Sequence, residues 1–367
     1  MKQVLHVFKT YLPDAPGGVQ EAIRAISLYT RDYGFQHCVF TLSPNPLPQE
    51  IDVEGTLVHR ERQIASFLSC PIGNWNSFRQ MKRKAEEADV VLYHYPWPFG
   101  DLLSLNIHRK PSVVLYHSDI VKQKLSGVLY SPLRESFLSR ANAIVATSPN
   151  YAESSTVLQK YKNKLRVIPL TAVPDNEPED FRVIQNLNLV SKPFILFVGV
   201  LRYYKGLDTL VRAARYVDCP VVIAGEGPER GYLEALKIRV KAENVVFTGE
   251  ITKAQKKALY KRASVFAFPS NARSEAFGIS LAEAAMYGVP MVSCEIGTGT
   301  SFINIDKITG FVVPPNDSKC FAKALNTILG SSKLSRSMQE AASSRWDAEL
   351  RPALFGKRWA DLFSTFK

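Results

Sequence analysis

Short apolar runs alternate with amphipathic stretches along the whole chain, and this alternation constrains the fold more than any other feature of the sequence. The runs have strand length and are rich in β-branched residues. They are Val4–Phe8, Val90–Tyr93, Ser112–Tyr116 and Ala143–Ala146 in the first half, and Phe194–Val200, Val221–Ala224, Val245–Phe247, Val265–Phe268 and Met291–Ser293 in the second. Apolar strands separated by helices are typical of parallel sheets covered on both faces. We therefore predict an α/β fold with two doubly wound domains.

The two halves begin alike, each with a strand, a turn-rich loop and a helix, and a length of 367 residues fits two domains. The stretch Ala172–Lys192 is rich in Pro, Asp and Glu and lacks a sustained apolar period, as expected of an interdomain connection. We predict a first domain over residues 1–175, a linker over 176–192, a second domain over 193–345, and an amphipathic C-terminal helix over 346–367 that packs on the body of the protein.

The composition, with 46% hydrophobic and 22% charged residues, is that of a globular protein and excludes disordered and collagen-like classes. No apolar run reaches the length of a membrane span, and the chain enters its first strand without a leader, so we expect a cytoplasmic location. The five cysteines are scattered without C-x-x-C spacing, which argues against a zinc site or a disulfide framework. H-x-x-x-H and D-x-D patterns are also missing, so we expect no bound metal.

The formal net charge of +12 favours anionic partners, which include nucleic acids, acidic lipids and phosphorylated small molecules. No basic tail, zinc finger or aromatic RNA-binding signature accompanies this charge, so nucleic acid is the less favoured of the three.

Loops that follow the strands are the expected ligand-binding segments, because open parallel sheets bind ligands at the C-terminal ends of their strands. Gly17 and Gly18 stand at a helix entrance, where they form either a close approach for a phosphate or only a flexible turn. Arg202 and Lys205 follow a strand and suit a diphosphate, or they are solvated surface cations. Neither G-x-G-x-x-G nor a phosphate-binding G-x-x-x-x-G-K-[ST] loop is present, which disfavours dehydrogenases and P-loop ATPases.

Two carboxylates flank a predicted helix start near Ile279, with Glu275 in the loop and Glu283 along the helix. This layout can hold a sugar hydroxyl, a phosphate and a ribose, or it reflects an ordinary N-terminal charge preference and a solvated face. All six histidines, His6, His37, His59, His94, His108 and His117, lie in the first half. His94 and His117 each follow an apolar strand, where ligand-binding residues belong, although a lone histidine is more often structural.

Together these segments resemble the retaining glycosyltransferases of family 4 (group 1), which have the GT-B fold of two Rossmann-like domains facing a central cleft. The family motif E-x7-E is matched by Glu275 and Glu283, within a run that extends from Pro269-Ser270 to Gly288-Val289-Pro290. Gly225-Glu226-Gly227-Pro228, Val246-Phe247-Thr248-Gly249 and Gly17-Gly18 fit further positions of the family pattern.

The resemblance implies a role for each matched residue. His117 and Glu275 would be the catalytic residues, with Glu275 on the donor-sugar hydroxyls and Glu283 on the nucleotide ribose. The implied donor-binding set is Gly17, Gly18, Arg202, Lys205, Gly227, Ile251, Ala276, Phe277, Gly278, Ile279, Ser280, Leu281 and Glu283. One departure is that the family usually places Arg directly after the strand-end glycine, where this chain has Val200, so Arg202 would substitute for it.

Longer strings look like those of bacterial O-polysaccharide mannosyl- and D-rhamnosyltransferases. They are Tyr116-His117-Ser118-Asp119-Ile120-Val121-Lys122-Gln123-Lys124, Arg202-Tyr203-Tyr204-Lys205-Gly206 and Cys294-Glu295-Ile296-Gly297-Thr298-Gly299-Thr300. The resemblance implies transfer of mannose from GDP-mannose to an undecaprenyl-diphosphate-linked saccharide in lipopolysaccharide O-antigen synthesis, without a cofactor, at the inner face of the cytoplasmic membrane and beside other polysaccharide-assembly proteins.

Several alternatives remain open at this point. The donor could be GDP-D-rhamnose or a UDP-sugar, and the chain could instead be a non-hydrolysing sugar-nucleotide epimerase or a non-catalytic subunit. The basic run Arg79–Lys84, on a predicted helix, fits either anionic lipid or an ordinary solvated helix face.

Overall fold

The computed structural model describes residues 1–67, 70–107, 110–119 and 124–366 of the chain. Two sequence features named above, His108 and the run Ile120–Gln123, lie outside these described residues. The chain divides into two units, one formed by Met1–Thr171 with Pro352–Lys367 and the other by Ala172–Arg351.

The first unit is built on a single sheet whose strands are mostly parallel. In the described residues its strands are β1 (Lys2–Val7), β2 (Phe35–Ser43), β3 (Glu50–Val53), β4 (Thr56–Phe67), β5 (Cys70–Gly73), β6 (Val90–Tyr95), β7 (Ser112–Tyr116), β8 (Ala143–Ala146) and β9 (Leu165–Val167). The strand order is β3-β4-β2-β1-β6-β7-β8-β9, with β5 paired to β4. The β3–β4 and β4–β5 pairs are antiparallel, whereas every other pair is parallel.

Helices connect the parallel strands of this unit. They are α1 (Gly18–Tyr29), α2 (Trp75–Glu87), α3 (Pro98–Leu103), α4 (Lys124–Arg140) and α5 (Pro149–Ser154). Side-chain caps define two of the helix starts, because Asn74 accepts from the Ser77 amide at the start of α2 and Ser148 accepts from the Tyr151 amide at the start of α5. The inner strands β6, β7 and β8 have almost only buried side chains, as their continuous apolar sequences predict.

The second unit contains a fully parallel sheet. Its elements are α6 (Arg182–Asn186), β10 (Ile195–Val198), α7 (Leu207–Ala213), β11 (Val221–Ala224), α8 (Arg230–Val240), β12 (Val245–Gly249), α9 (Lys253–Arg262), β13 (Val265–Phe268), α10 (Ile279–Met286), β14 (Met291–Cys294), α11 (Thr300–Ile303), β15 (Gly310–Val313), α12 (Ser318–Leu329) and α13 (Ser332–Arg345). The strand order β12-β11-β10-β13-β14-β15 is the doubly wound arrangement of a Rossmann sheet. Its core is formed by buried aliphatic and aromatic residues of the strands and of α7, α8 and α12.

The segment over residues 176–192, expected to be a linker, lies inside the second unit and contains the short helix α6. Val183 and Ile184 are buried there, and α6 packs on α9. With Leu189, the segment has three buried apolar side chains, which are too few to produce a visible helical period, and its Pro- and acid-rich composition therefore indicated an interdomain connection.

The chain leaves the second unit through a π-helical turn, Trp346–Leu350, and ends in α14 (Pro352–Ser364). Helix α14 packs against α1 and returns to the first unit. Phe355, Trp359 and Phe363 form its buried face. None of the helices in the described ranges combines the length and the apolar character needed to cross a bilayer.

Candidate active site

The switch point of the second sheet lies between β10 and β13, where the strand order reverses and ligands of doubly wound folds bind. The loop after β10 carries Lys205, and the loop after β13 carries Glu275. These two side chains meet, with Lys205 Nζ 2.5 Å from Glu275 Oε2. Because both side chains are nearly buried, with 12% and 11% of their surface exposed, the ion pair is shielded from water more than a surface pair would be.

Aromatic rings surround the Lys205 ammonium group. It lies 5.1 Å from the ring centre of Phe268, the last residue of β13, and 5.7 Å from that of Tyr204. Ring faces attract a cation, so both contacts hold the lysine at the strand ends. Burial raises the pKa of the half-buried Tyr204 phenol, which therefore stays neutral at physiological pH.

Two glycines allow these loops to pack closely. Gly206 has φ +61°, and a Cβ there would lie 2.1 Å from the carbonyl oxygen of Pro269, which follows β13. A Cβ on Gly227 would lie 2.6 Å from backbone atoms of Leu201. Gly227 therefore allows the loop after β11 to pack against the loop after β10. The Leu201 amide donates to the Glu226 carbonyl oxygen at 2.9 Å. The structure gives Gly206 and Gly227 a packing role between the loops that follow β10, β11 and β13.

Glu283, the second carboxylate of the E-x7-E pair, is held from α9. Its Oε1 forms an ion pair with Lys256 Nζ. The Tyr260 hydroxyl lies 2.9 Å from Glu283 Oε2 and 3.1 Å from the Ser280 carbonyl oxygen, two acceptors that share its one proton. Burial and the adjacent carboxylate keep the pKa of Tyr260 well above its usual value, so this phenol is a permanent donor.

Helix α10 begins between the two carboxylates. Its N-cap is Gly278, at φ +87°, a conformation that favours glycine. The first amides of a helix have no partner within it, so those of Gly278, Ile279 and Ser280 are available to an anion. The side chains of Ala276, Phe277 and Leu281 are buried, and these three residues can therefore offer a ligand only their backbone.

The loop after β14 lies against the Glu275 loop, where the Gly299 amide donates to the Ala276 carbonyl oxygen over 2.8 Å. Arg273 reaches the same loop through a 2.7 Å bond to the Gly297 carbonyl oxygen. The subgroup-like run Cys294–Thr300 thus fixes the backbone of the segment that carries Glu275.

Two predicted donor-binding residues are not joined to this network. Arg202 is exposed, and its guanidinium has no hydrogen bond or ion pair with the described residues. Ile251 is half-buried in the loop between β12 and α9, after Gly249 at φ +75°. Both lie on loops that follow strands of the same sheet, as the sequence predicted.

The first unit carries Gly17, Gly18 and His117. Gly17 is the N-cap of α1, which starts at Gly18, and its carbonyl oxygen accepts from the Glu21 amide. His117 follows β7 directly and is buried, with its Nε2 hydrogen-bonded to His94 Nδ1 at 2.9 Å. The loop after β1 and the residues after β6 and β7 emerge at the same edge of this sheet, because the three strands are parallel neighbours.

Sequence reasoning missed Lys256 and Tyr260, the residues that hold Glu283. They are one turn apart on α9 and share a helix face, which is a signal visible in the sequence. Their partner lies on another helix, so the contact itself was not visible.

Within the described residues, no three or more His, Cys, Asp and Glu side chains are grouped so that they could hold a metal ion.

Both halves of the chain match known protein families. Residues 16–175 match the family described as Glycosyltransferase Family 4, and residues 180–345 match the family described as Glycosyl transferases group 1.

Curated relatives match along nearly the whole chain. The D-rhamnosyltransferase WbpZ of Pseudomonas aeruginosa is 42% identical over 347 residues, which cover 94% of this chain and 91% of that protein. The O-antigen chain mannosyltransferase C of Escherichia coli is 42% identical over 352 residues, with 94% and 93% covered.

Among solved structures, the sucrose-phosphate synthase of Thermosynechococcus elongatus matches with a TM-score of 0.80 at 20% identity, covering 100% of this chain and 99% of that one. This likeness confirms the predicted α/β fold with two Rossmann-like domains of the GT-B class. With relatives of such identity and coverage, the chain belongs to the group 1, family 4 glycosyltransferases.

Proposed function

We propose that this protein transfers mannose from GDP-mannose, with retention at the anomeric carbon, to an undecaprenyl-diphosphate-linked saccharide in O-antigen synthesis. The observation that carries the proposal is the pair of carboxylates at the start of α10, Glu275 and Glu283, each of which is paired with a lysine: Glu275 with Lys205 of the loop after β10, and Glu283 with Lys256 of α9. The 42% identity to an O-antigen chain mannosyltransferase supports the choice of sugar and acceptor.

The amides at the start of α10 and the Lys205 ammonium group would bind the diphosphate of the donor. Negative charge grows on this group as the glycosidic bond breaks, and preorganised N–H donors and cations stabilise such charge. Arg202 is exposed on the same loop as Lys205 and could add a forked contact to the diphosphate.

Glu275 would bind hydroxyls of the donor sugar. Its carboxylate is now paired with Lys205, so an arriving diphosphate competes with it for the same ammonium group. Binding of the diphosphate would shift Lys205 toward the phosphates and free Glu275 Oε2 for a sugar hydroxyl. No enzyme nucleophile is placed by this arrangement, and we propose front-side attack in which a donor phosphate oxygen takes the acceptor proton.

Glu283 would accept both hydroxyls of the nucleotide ribose. Lys256 and Tyr260 hold its carboxylate in place from α9, so little ordering remains to be done when the ribose arrives. In the first unit, Gly17 and Gly18 would contact the donor through their backbone and His117 would contact the donor sugar.

A lipid-linked acceptor requires approach to a membrane surface, and helix α2 offers a face suited to it. Trp75, Arg79, Lys82 and Arg83 are exposed and recur at helical spacing on one side of α2. Lys84, predicted to belong to this basic set, is instead buried and pairs with Glu50 at 2.9 Å, because it lies on the inward face with Met81. We propose that the Trp75 face of α2 contacts anionic lipid.

Calorimetric titration with GDP, UDP and ADP, followed by transfer assays with the matching sugar nucleotides, tests the donor. We expect tight binding of GDP alone and transfer of mannose to an undecaprenyl-diphosphate saccharide, with the α-linkage retained in the product. A preference for UDP would overturn the mannosyl assignment. Donor conversion without an acceptor-linked product would point to an epimerase, and no nucleotide binding would point to a non-catalytic subunit.

GDP-D-rhamnose is the second candidate donor, and the 42% identity to a D-rhamnosyltransferase supports it as strongly. The two sugars differ at C6, where mannose has a hydroxyl that D-rhamnose lacks. Parallel kcat/KM measurements with both donors decide between them, and a preference for GDP-D-rhamnose would replace mannose in the proposal while leaving the site assignments unchanged.

Vesicle flotation tests the lipid contact. The double variant Arg79→Gln/Lys82→Gln should lose binding to vesicles containing phosphatidylglycerol, by about 1 kcal/mol for each charge removed. Arg336 and Lys333, at the start of α13 in the second unit, provide a matched control pair for substitution to Gln. Equal loss of binding in both double variants would contradict a specific role for α2.

A further inference from the structure

Four buried histidines form a continuous hydrogen-bonded chain across neighbouring strands of the first sheet. His37 Nδ1 lies 2.9 Å from His6 Nε2, His6 Nδ1 lies 3.0 Å from His94 Nε2, and His94 Nδ1 lies 2.9 Å from His117 Nε2. The strands β2, β1, β6 and β7 are adjacent in the same order, so each histidine comes from the next strand or from its end. We call these residues the histidine chain.

Burial keeps the histidine chain uncharged. It lowers the pKa of His6 and of His117 to about 3, and the pKa values of His37 and His94 also lie well below their usual range. A neutral imidazole has one N–H donor and one bare nitrogen acceptor. Each contact between two histidines therefore needs one donor and one acceptor, and all the rings must adopt the same tautomer.

Two arrangements satisfy the three histidine contacts. In one, every ring carries its proton on Nε2, and in the other every ring carries it on Nδ1. Which of the two arrangements forms depends on the His37 end of the histidine chain, where His37 Nε2 lies 2.6 Å from the Thr30 hydroxyl oxygen.

Thr30 selects one arrangement, because its hydroxyl has a single proton. That hydroxyl donates to the Ile26 carbonyl oxygen at the end of α1, over 2.7 Å. Without a proton between them, two oxygens at this distance would repel each other. Thr30 must therefore accept from His37, which places the His37 proton on Nε2 and, ring by ring, the proton of His117 on Nε2 as well.

The consequence falls on His117. Its Nε2–H is used by His94, so its Nδ1 is a bare acceptor, and this nitrogen has no hydrogen-bond partner among the described residues. The histidine chain cannot conduct protons, because its far end is the Thr30 hydroxyl. This hydroxyl is fully buried and donates its proton to the Ile26 carbonyl oxygen.

We propose that Thr30, His37, His6 and His94 are positioning residues that hold His117 as the neutral Nε2–H tautomer, so that its Nδ1 accepts a hydrogen bond from a hydroxyl of the donor sugar. The tautomer follows from the contacts within the first unit alone. The substrate hydroxyl rests on the proposed function.

Nuclear magnetic resonance of full-length protein labelled with ¹⁵N-histidine tests the tautomer directly. Two-bond ¹H–¹⁵N correlations separate the Nε2–H, Nδ1–H and doubly protonated forms. At pH 7.5 we expect the four rings of the histidine chain to be neutral and Nε2-protonated. An Nδ1–H or cationic His117 would overturn the proposal.

Substitutions at Thr30 test whether this residue selects the tautomer of His117. Thr30→Val removes the hydroxyl at nearly constant shape, and His117 should then give signals of both tautomers. Thr30→Ser keeps the hydroxyl and should restore the wild-type spectrum. Thr41→Val is the matched control, because Thr41 is buried on β2 and its hydroxyl has no hydrogen-bond partner in the described part of the chain. An unchanged His117 spectrum in the folded Thr30→Val protein would overturn the proposal.

Transfer kinetics complete the test. With GDP affinity and thermal melting as folding controls, Thr30→Val should lower kcat/KM in proportion to the fraction of His117 that leaves the Nε2–H form in its spectrum, by up to about tenfold, while Thr30→Ser and Thr41→Val, whose spectra are unchanged, keep the wild-type value. A changed tautomer with unchanged kcat/KM would overturn the positioning role. Failure of the wild-type protein to transfer any sugar would refute the proposed function, and the spectra would still decide the tautomer.

Discussion

The Tyr260 hydroxyl lies 2.9 Å from Glu283 Oε2, one residue on α9 and the other on α10. Lys256, one turn earlier on α9, pairs with the other oxygen of the same carboxylate. Both carboxylate oxygens of Glu283, the residue proposed to bind the ribose, are therefore held by a helix that contributes no residue to the family motif.

Replacing Tyr260 tests this support. We expect Tyr260→Phe to weaken GDP binding by about fivefold to tenfold, because the loss of one hydrogen bond to a carboxylate leaves Glu283 less ordered. The value of kcat should change little, since the ribose is remote from the breaking bond. Tyr232→Phe, at an exposed position on α8, is the control. Unaltered GDP affinity in Tyr260→Phe would contradict the role.

The two carboxylates should be separable by substitution. Glu275→Ala should abolish sugar transfer and leave GDP affinity largely intact, because GDP lacks the sugar. Glu283→Ala should weaken the binding of GDP itself. Calorimetry with GDP and a transfer assay measure the two effects, with the exposed Glu243→Ala as control. Equal loss of GDP binding in the two variants would refute this division of roles.

The two cations of the loop after β10 should contribute unequally. Lys205→Met should lower kcat/KM by at least about a hundredfold, because it removes a preorganised charge at the diphosphate and leaves Glu275 without its partner. Arg202→Met should have a smaller effect, about tenfold, because the exposed guanidinium must first be ordered. Steady-state kinetics measure both, and a larger effect at Arg202 would mean that it takes the place of the arginine usual at the Val200 position.

Mild acid should destabilise the first unit selectively. The histidine chain stays neutral in the folded state, whereas unfolded histidine takes up a proton below about pH 6.5. The unfolded state then binds more protons, so stability is fully present above this pH. The free energy of unfolding then falls as the pH drops toward the folded-state pKa of about 3. The loss is up to about 1.4 kcal/mol per pH unit for each such histidine.

Hydrogen exchange with mass spectrometry reads the two units separately. Between pH 7.5 and 5.5, after correction for intrinsic exchange, peptides from β1, β2 and β6 should lose protection. Peptides from the second unit, which contains no histidine, should keep theirs. A parallel loss in both units would mean that other groups control the acid response.

Gly206 should resist substitution. At φ +61°, an alanine is strained by about 1–2 kcal/mol, and its Cβ would meet the Pro269 carbonyl oxygen at 2.1 Å. Gly206→Ala should therefore lower the free energy of unfolding and disturb the Lys205 loop. Gly231→Ala is the control, because Gly231 lies in the first turn of α8, a Cβ there meets nothing within 4 Å, and alanine should raise the free energy of unfolding by no more than about 1 kcal/mol. Urea denaturation measures both, and equal stabilities would contradict the packing argument.

The sequence predicted the central strands well because their side chains are buried on both faces. Val265–Phe268 and Ser112–Tyr116 have the same bounds in the structure as in the prediction. Strands β2 and β4 were missed, since their polar residues, including His37, His59 and Arg60, interrupt the apolar pattern although they are buried. Two of these polar side chains have partners far along the chain, since Arg60 donates to Asp14, 46 residues away, and His37 contacts His6, 31 residues away, which a local pattern cannot show.

The site was predictable where its residues lie in one segment and not where they meet across segments. Glu275 and Glu283 could be named from their spacing, and the loop that carries Lys205 from the strand before it. The contact of Lys205 with Glu275, the support of Glu283 by α9 and the histidine chain all join segments 20 or more residues apart. Such contacts depend on strand order, and only the folded sheet fixes that order.

The return of α14 to the first unit determines when that unit can finish folding during synthesis. A Cβ on Gly356 would lie 2.1 Å from the Tyr29 carbonyl oxygen, and the Phe363 ring lies 5.4 Å from that of Phe35, so α14 closes the surface of α1 and β2. The ribosome makes Met1–Thr171 first but adds this helix only after all of Ala172–Arg351. The second unit can therefore complete its core while the nascent first unit still exposes the apolar surface that α14 will cover.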